Sequence, residues 1–215
     1  MKIISIALVA GTAVAFAPSH RVNTNNNGGI LAAEKVDDRP FANALGAQAP
    51  LGLWDPLGII ADGDQKTFDH FREQEIKHGR ISMLAIAGYL TTAAGLRFPN
   101  MPADIPDGLA AFPALLQTDD GKNVLLQMTA FFAVAEIINR EAEWVEGGAK
   151  PEFPGDYRNG SLDFGWDSFT EEEKLQKRRI ELSNGRAAMM GIWGLIIHEQ
   201  LGVSILPGGY LPGHP

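Results

Sequence analysis

Glu75-Ile-Lys-His-Gly-Arg-Ile-Ser-Met-Leu-Ala85 sets a Glu, a His and an Arg where an apolar helix begins. The pattern returns 106 residues later as Glu181-Leu-Ser-Asn-Gly-Arg-Ala-Ala-Met-Met-Gly191, with Glu, Gly, Arg and Met in register. A self-match of this kind is weighed before any other fold reasoning. Within each copy the Glu and the Arg stand five residues apart, about 140° around a helix. Side chains on one helix meet at spacings of three or four. Neither Glu75 nor Glu181 is therefore neutralised by the Arg of its own helix. A charge at a bilayer centre costs about 2.5–3.5 kcal/mol even on the mildest scale. Four such charges left unpaired would rival the whole stability of a domain. Two helices crossing about a pseudo-two-fold axis remove the cost, because Glu75 then meets Arg186 and Glu181 meets Arg80. Gly79 and Gly185, beside the arginines, let the two backbones approach.

The pairing does not exhaust the carboxylates, since each offers about four acceptor sites. Glu75 and His78 are three apart and share a helix face; Glu181 and Asn184 repeat the spacing. Carboxylate, imidazole and amide oxygen all ligate metals. A site of one protein ligand per metal suits a metal already held by a macrocycle, such as the magnesium of chlorophyll, where only an axial position is open.

Composition narrows the classes. The chain has 215 residues, a net charge of -8, 45% apolar residues and no Cys. The acidic balance argues against nucleic acid as the main partner. Without Cys there is no disulfide, thiolate metal site or Cys nucleophile. His198-Glu199-Gln-Leu begins like a zinc-protease helix, but Gly202 stands where the second His is required. Neither a phosphate-binding Gly-Lys-Ser/Thr loop nor a Gly-x-Ser-x-Gly elbow is found, and the chain does not read as an enzyme.

Residues 1–33 read as targeting sequence. Lys2, an apolar run from Ile3 to Ala10 and the small-x-small pattern Ala13-Val14-Ala15 form a secretory signal peptide over 1–15. Residues 16–33 carry Arg21 and no acid, as an organelle transit peptide does. Two signals in series, joined at Ala15-Phe16-Ala17-Pro18, resemble the bipartite leader of algae whose plastids came from a secondary endosymbiont. Residues 34–215 then form the functional domain.

Three long helices are predicted there: about Thr67–Ala94 with Thr67 or Asp69 as N-cap, about Asn123–Val145, and from Ser168 or Thr170 to about Leu201. Thr170 and Glu173 form a capping box for the last. Two Gly and two Pro keep Ala49-Pro-Leu-Gly-Leu-Trp-Asp-Pro-Leu-Gly58 out of a helix. Its Leu and Trp residues need an apolar partner, and Trp54 suits a membrane interface. The segment from Pro99 to Gly121 reads as a Gly- and Pro-rich loop. No helix holds about 18 uncharged residues in a row, the usual mark of a spanning segment. Basic residues are nonetheless lopsided. Lys66, Arg72, Lys77, Lys150, Arg158, Lys174, Lys177, Arg178 and Arg179 fall on one side of a three-span topology, and only Arg97 and Lys122 on the other. The positive-inside rule then puts the mature N-terminus in the stroma and the C-terminus in the lumen. The expected fold is an all-α membrane protein with three transmembrane helices, the first and third crossed as a pseudo-two-fold pair.

With Trp54-Asp-Pro-Leu-Gly58, Asp163-Phe-Gly-Trp166 and Leu201-Gly-Val-Ser-Ile-Leu-Pro207 beside the repeated motif, the chain resembles the three-helix chlorophyll-binding light-harvesting family. It is most similar to the fucoxanthin chlorophyll a/c proteins of diatoms and related algae. The resemblance covers nearly everything after residue 40. It implies that Glu75, His78, Glu181 and Asn184 are axial ligands of chlorophyll magnesium and that Arg80 and Arg186 complete the inter-helix pairs. Where this chain has Asn184 the family often has Gln, and either amide can ligate. His198 stands where a further ligand is usual; the alternative is an interfacial His without metal. Gln127 and Glu136 are candidate ligands on the second helix, half a turn out of phase and so facing different pigments. Glu136 pairing with Arg140 is the competing reading. His70 and His214 read as solvated.

Carotenoids need apolar grooves, and Ala85, Ala87 and Gly88 with Ala187, Ala188 and Gly191 would admit a polyene at the crossing; ordinary small-residue packing explains them equally. Met83, Met189 and Met190 read as packing. The implied cofactors are chlorophyll a, chlorophyll c and fucoxanthin, with diadinoxanthin as an additional candidate. The implied setting is the plastid thylakoid membrane, in an oligomer with other antenna subunits, serving photosystem I or II. A photoprotective, heat-dissipating member of the same family is the alternative function.

Overall fold

Two long helices cross at their glycines. The computed structural model describes residues 38–97, 105–138, 151–157, 165–204 and 206. The leader, Arg140, His214 and the end expected for the second long helix near Val145 lie outside the described residues. Helix α1 runs Gln65–Ala93, α2 Ala111–Leu115, α3 Asp119–Ile138 and α4 Glu171–Leu201, with 3-10 turns at Gly108–Ala110 and Trp166–Ser168. Among the described residues there is no strand, only an isolated bridge between Gln48 and Gly52.

The ends of these helices follow local chemistry. The N-cap of α1 is Asp64, whose carboxylate accepts from the Lys66 and Thr67 N–H groups. Thr67 and Asp69, the expected caps, lie inside the helix; the Thr67 hydroxyl donates to Asp64 instead. Those bonds, the Thr67 hydroxyl first, hold the Asp64 carboxyl below the usual carboxylate range. The capping box at Thr170 and Glu173 is present as expected, and Gly202 closes α4 in the left-handed conformation at φ 70°.

The loop expected between the first and second long helices contains a 3-10 turn and α2. Pro113 does not prevent α2, because in a first turn its missing N–H has no helical partner anyway. The second long helix also starts four residues before the expected Asn123, at Asp119. Asp119 and Asp120 suit the positive end of the helix dipole. Gly121 is required by the turn: a Cβ there would fall 2.2 Å from the Leu115 carbonyl oxygen.

α1 and α4 make the main tertiary contact, and among the described residues α3 makes no extensive contact with either. A Cβ on Gly79 would lie 3.0 Å from Gly185 Cα, and one on Gly185 3.0 Å from Gly79 Cα. Around that point the core is small: Ile76, Leu182, Ala188 and Leu195 are buried, joined by Ile105 from the loop. No large side chain among the described residues is fully buried. The apolar residues instead face outward, including Leu126, Phe131, Phe132 and Ile137 on α3 and Leu84, Met190 and Trp193 near the crossing. Among the described residues no helix is long and apolar enough to cross a membrane.

Gly79→Ala or Gly185→Ala should destabilise the α1–α4 pair by about 1–3 kcal/mol, because the new methyl meets backbone that cannot rotate away. Gly88→Ala, with nothing within 4 Å of the added carbon, should be neutral or stabilising. Helix unfolding followed by circular dichroism during detergent titration distinguishes the two; equal effects would refute the close crossing.

Candidate functional site

The four charges of the repeat meet across the crossing. Arg186 Nε donates to Glu75 Oε1 at 2.6 Å, and Arg80 Nε donates to Glu181 Oε1 at 2.7 Å. The expected trans pairing is therefore present in both copies. Each Arg also reaches a loop carbonyl: Arg186 Nη1 to Gly46 O at 2.7 Å, and Arg80 Nη1 to Gly155 O at 2.8 Å. Gly46 and Gly155 both hold positive φ, at 94° and 85°, a conformation glycine adopts without a Cβ penalty. Each planar guanidinium fork thus ties one helix to its partner and to the segment that precedes that partner.

The sequence repeat extends further than its obvious core. Arg72 and Arg178 are also 106 apart, and each lies over an aromatic ring, Phe68 at 5.1 Å and Phe153 at 4.0 Å. Here the two-fold breaks. Arg72 Nη1 donates to Glu75 Oε2 at 2.5 Å. Arg178 gives no such bond to Glu181, so among the described residues nothing donates to Glu181 Oε2. Both Glu75 oxygens have a donor and keep one lone pair each; Glu181 keeps a whole oxygen.

The remaining predicted residues divide clearly. His78 is exposed, with Nδ1 2.7 Å from the Gln74 carbonyl oxygen. His198 Nδ1 lies 3.2 Å from the Val203 carbonyl oxygen. A carbonyl only accepts, so each Nδ1 carries the hydrogen, which in a neutral ring leaves the lone pair on Nε2, the arrangement of a metal-ligating imidazole. Asn184 and Gln127 are exposed, with no hydrogen bond from their amides among the described residues.

Glu136 has a partner that neither sequence reading named. Its Oε2 accepts from Lys77 Nζ at 2.6 Å, which links α3 to α1; Arg140 is outside the described residues. The small-residue grooves are partly corrected. Ala85, Ala87, Gly88 and Ala187 are open, but Ala188 is buried in the crossing and Gly191 packs on Ile86.

Sequence reasoning missed a second polar lock. Glu199 is buried and accepts from the Tyr89 hydroxyl at 2.9 Å and the Leu109 N–H at 2.7 Å. It fastens the 3-10 turn to the far end of the α1–α4 pair. Near the other end, the Tyr157 hydroxyl donates to Glu73 at 3.1 Å. Burial first, then the Glu73 carboxylate, pushes that phenol up to about 12. Neither Glu199 nor Glu73 lies in the repeat, so only their burial or partners identify them.

Comparison with known proteins follows the same lines. The chlorophyll A-B binding protein family model matches residues 41–200. The chain is 48% identical over 215 residues to fucoxanthin-chlorophyll a-c binding protein B, chloroplastic, of Phaeodactylum tricornutum, covering 97% of this chain and 100% of that protein. It is 45% identical over 210 residues to the fucoxanthin-chlorophyll a-c binding protein, chloroplastic, of Trieres chinensis, covering 95% and 97%. Against fucoxanthin-chlorophyll a-c binding protein B, chloroplastic, of Macrocystis pyrifera it is 42% identical over 207 residues, covering 90% of each.

A double-mutant cycle tests the trans geometry. Arg80→Gln and Glu181→Gln should couple by about 0.5–3 kcal/mol in unfolding free energy. Glu181→Gln and Arg186→Gln, on one helix at the wrong spacing, should be close to additive. Stronger coupling within the helix than across it would overturn the assignment.

Proposed function

The chain belongs to the chlorophyll A-B binding protein family, and on that footing we propose that it is a light-harvesting antenna subunit of the plastid thylakoid membrane. It binds chlorophyll a, chlorophyll c and fucoxanthin, with diadinoxanthin as a further carotenoid. It passes excitation to a photosystem, assembled with other antenna subunits. Bound pigments supply the absorption and the energy transfer. The protein makes and breaks no bonds: it fixes pigment distance, orientation and local polarity.

The observation that carries the reading is a juxtaposition. Open ligand atoms, Glu181 Oε2 and the Nε2 atoms of His78 and His198, stand on helices whose outward apolar residues are exposed among the described residues. Magnesium in a macrocycle needs one axial donor, and its apolar rim and tail need such a surface. Glu75, His78, Glu181, Asn184 and His198 would hold chlorophyll magnesium, with Gln127 and Glu136 as further ligands on α3. Arg80 and Arg186 neutralise the two glutamates without taking every lone pair. Lys77 does the same for Glu136 and sets its position relative to α1.

The three long helices span the membrane in this reading. At about 1.5 Å per residue, α1 and α4 reach about 43 and 46 Å and α3 about 30 Å, against a hydrocarbon core of about 30 Å. A hydropathy criterion counts each charge as if it were alone. Here Glu75, Arg80, Glu181 and Arg186 are paired in the crossing, so the residue count overstates their cost. The lopsided basic residues support a stromal N-terminus in this reading.

The purified complex should be brown, with chlorophyll c and fucoxanthin bands. Arg186→Leu should lose the pigment on Glu75, lowering the chlorophyll count by one. A colourless chain that stays folded, or an unchanged count in that variant, would refute the reading. Because the chain has no Cys, single cysteines report topology cleanly. Lys177→Cys should label from outside intact thylakoids, and Lys122→Cys only after they are opened.

A further inference from the structure

Arg72 and Arg178 hold equivalent places in the repeat, each three residues before a glutamate of the crossing. That spacing sets Arg and Glu on one helix face, within reach of each other. Arg72 uses the reach. Its side chain is only 10% exposed, and Nη1 donates to Glu75 Oε2 at 2.5 Å. The Arg178 guanidinium instead lies 4.0 Å from the centre of the Phe153 ring.

Room for the other position exists. A cavity of about 150 Å³ is lined by Phe153, Arg178, Glu181 and Leu182. The loop that carries Phe153 holds the cation elsewhere. That loop is pinned, because Gly155 O accepts from Arg80 and the Tyr157 hydroxyl donates to Glu73. Its Phe153 ring attracts the guanidinium through the π face, and Glu152 and Asp156 on the same loop attract it as well. The consequence is chemical. A carboxylate oxygen that accepts from a guanidinium commits a lone pair and brings positive charge beside any metal it binds. Glu75 has two such donors and Glu181 one.

Resting on the reading that both glutamates ligate chlorophyll magnesium, we propose that Arg72 and Phe153 rank the two sites. Arg72 weakens the pigment on Glu75, and Phe153 protects the pigment on Glu181 by keeping Arg178 off its carboxylate. Arg72, Phe153 and Arg178 are then positioning residues, acting through the glutamates rather than on the metal. The pigment on Glu75 is the exchangeable one, and the pigment on Glu181 is retained.

The test follows pigment release from the full pigmented complex on dilution into detergent. Replacing a whole ion pair, Glu75→Leu with Arg186→Leu or Glu181→Leu with Arg80→Leu, should remove one chlorophyll each, and the missing absorption identifies the band of each site. In the native complex the Glu75 band should disappear roughly three- to tenfold faster than the Glu181 band, the effect of one hydrogen bond to a charged group. Arg72→Met, which keeps the apolar stem and removes the donors, should slow that loss towards the Glu181 rate. Phe153→Leu should speed loss of the Glu181 band, and adding Arg178→Met should restore it, because the ring is needed only while the cation is there. A Phe153 that merely packs gives no such rescue. Equal release rates in the native complex, or no rescue in the double variant, overturn the proposal. If Phe153→Leu does not assemble, Arg72→Met decides alone, and unchanged or faster loss of the Glu75 band overturns it. An unchanged chlorophyll count in both pair replacements refutes the magnesium reading and the proposal with it, so the two failures are told apart.

Discussion

Two glutamate–arginine pairs formed in trans are the constraint on which the rest of the chain depends. Helix geometry forbids each Arg from reaching the Glu of its own helix, so neutrality is available only through the second helix. The pairs form at 2.6 and 2.7 Å only if the backbones come close, which explains Gly79 and Gly185 at the contact. The remaining N–H groups of each guanidinium then fix the loops at Gly46 and Gly155. Crossing angle, loop position and the orientation of the glutamate lone pairs are thus set by one motif written twice.

The symmetry stops where the two halves need different chemistry. Arg72 turns to Glu75, while Arg178 stays over Phe153. Glu75 is therefore doubly held, and Glu181 keeps an oxygen open. His78 in one copy corresponds to Asn184 in the other, an imidazole in place of an amide. α3 has no counterpart in the repeat, and Lys77–Glu136 ties it to α1. A two-fold scaffold carrying unlike donors offers unlike sites, so one sequence repeat does not mean one kind of pigment.

What the sequence made legible was whatever its own periodicity encodes. The offset of 106 residues combined with 140° per five helical positions led to the crossing, both ion pairs and the two close glycines. Thr170 and Glu173 announced a helix start because both halves of a capping box are local. Asp64 was obscured because Asp62, Asp64, Thr67 and Asp69 all offer cap chemistry within a short span, and only the backbone chooses. α2 was hidden by its proline, and the start of α3 by Gly121, which serves a turn rather than ending a helix. Lys77–Glu136 and Glu199–Tyr89 join residues 59 and 110 positions apart. No spacing rule reaches those.

The distribution of polarity explains why pigment would be structural as well as functional. In a water-soluble domain apolar side chains close a core and charges face out. Here the charges sit at the crossing, and Phe131, Phe132, Ile137 and Trp193 face out. Among the described residues α3 lacks a packed interface with α1 or α4, and one exposed Lys–Glu bridge contributes little on its own. On the pigment-binding reading, the surface between α3 and the crossed pair is completed by ligands that bind only the folded chain. Such ligands stabilise it by mass action. Folding and pigment loading would then be a single equilibrium, with the trans ion pairs supplying the part of it that the polypeptide can form alone.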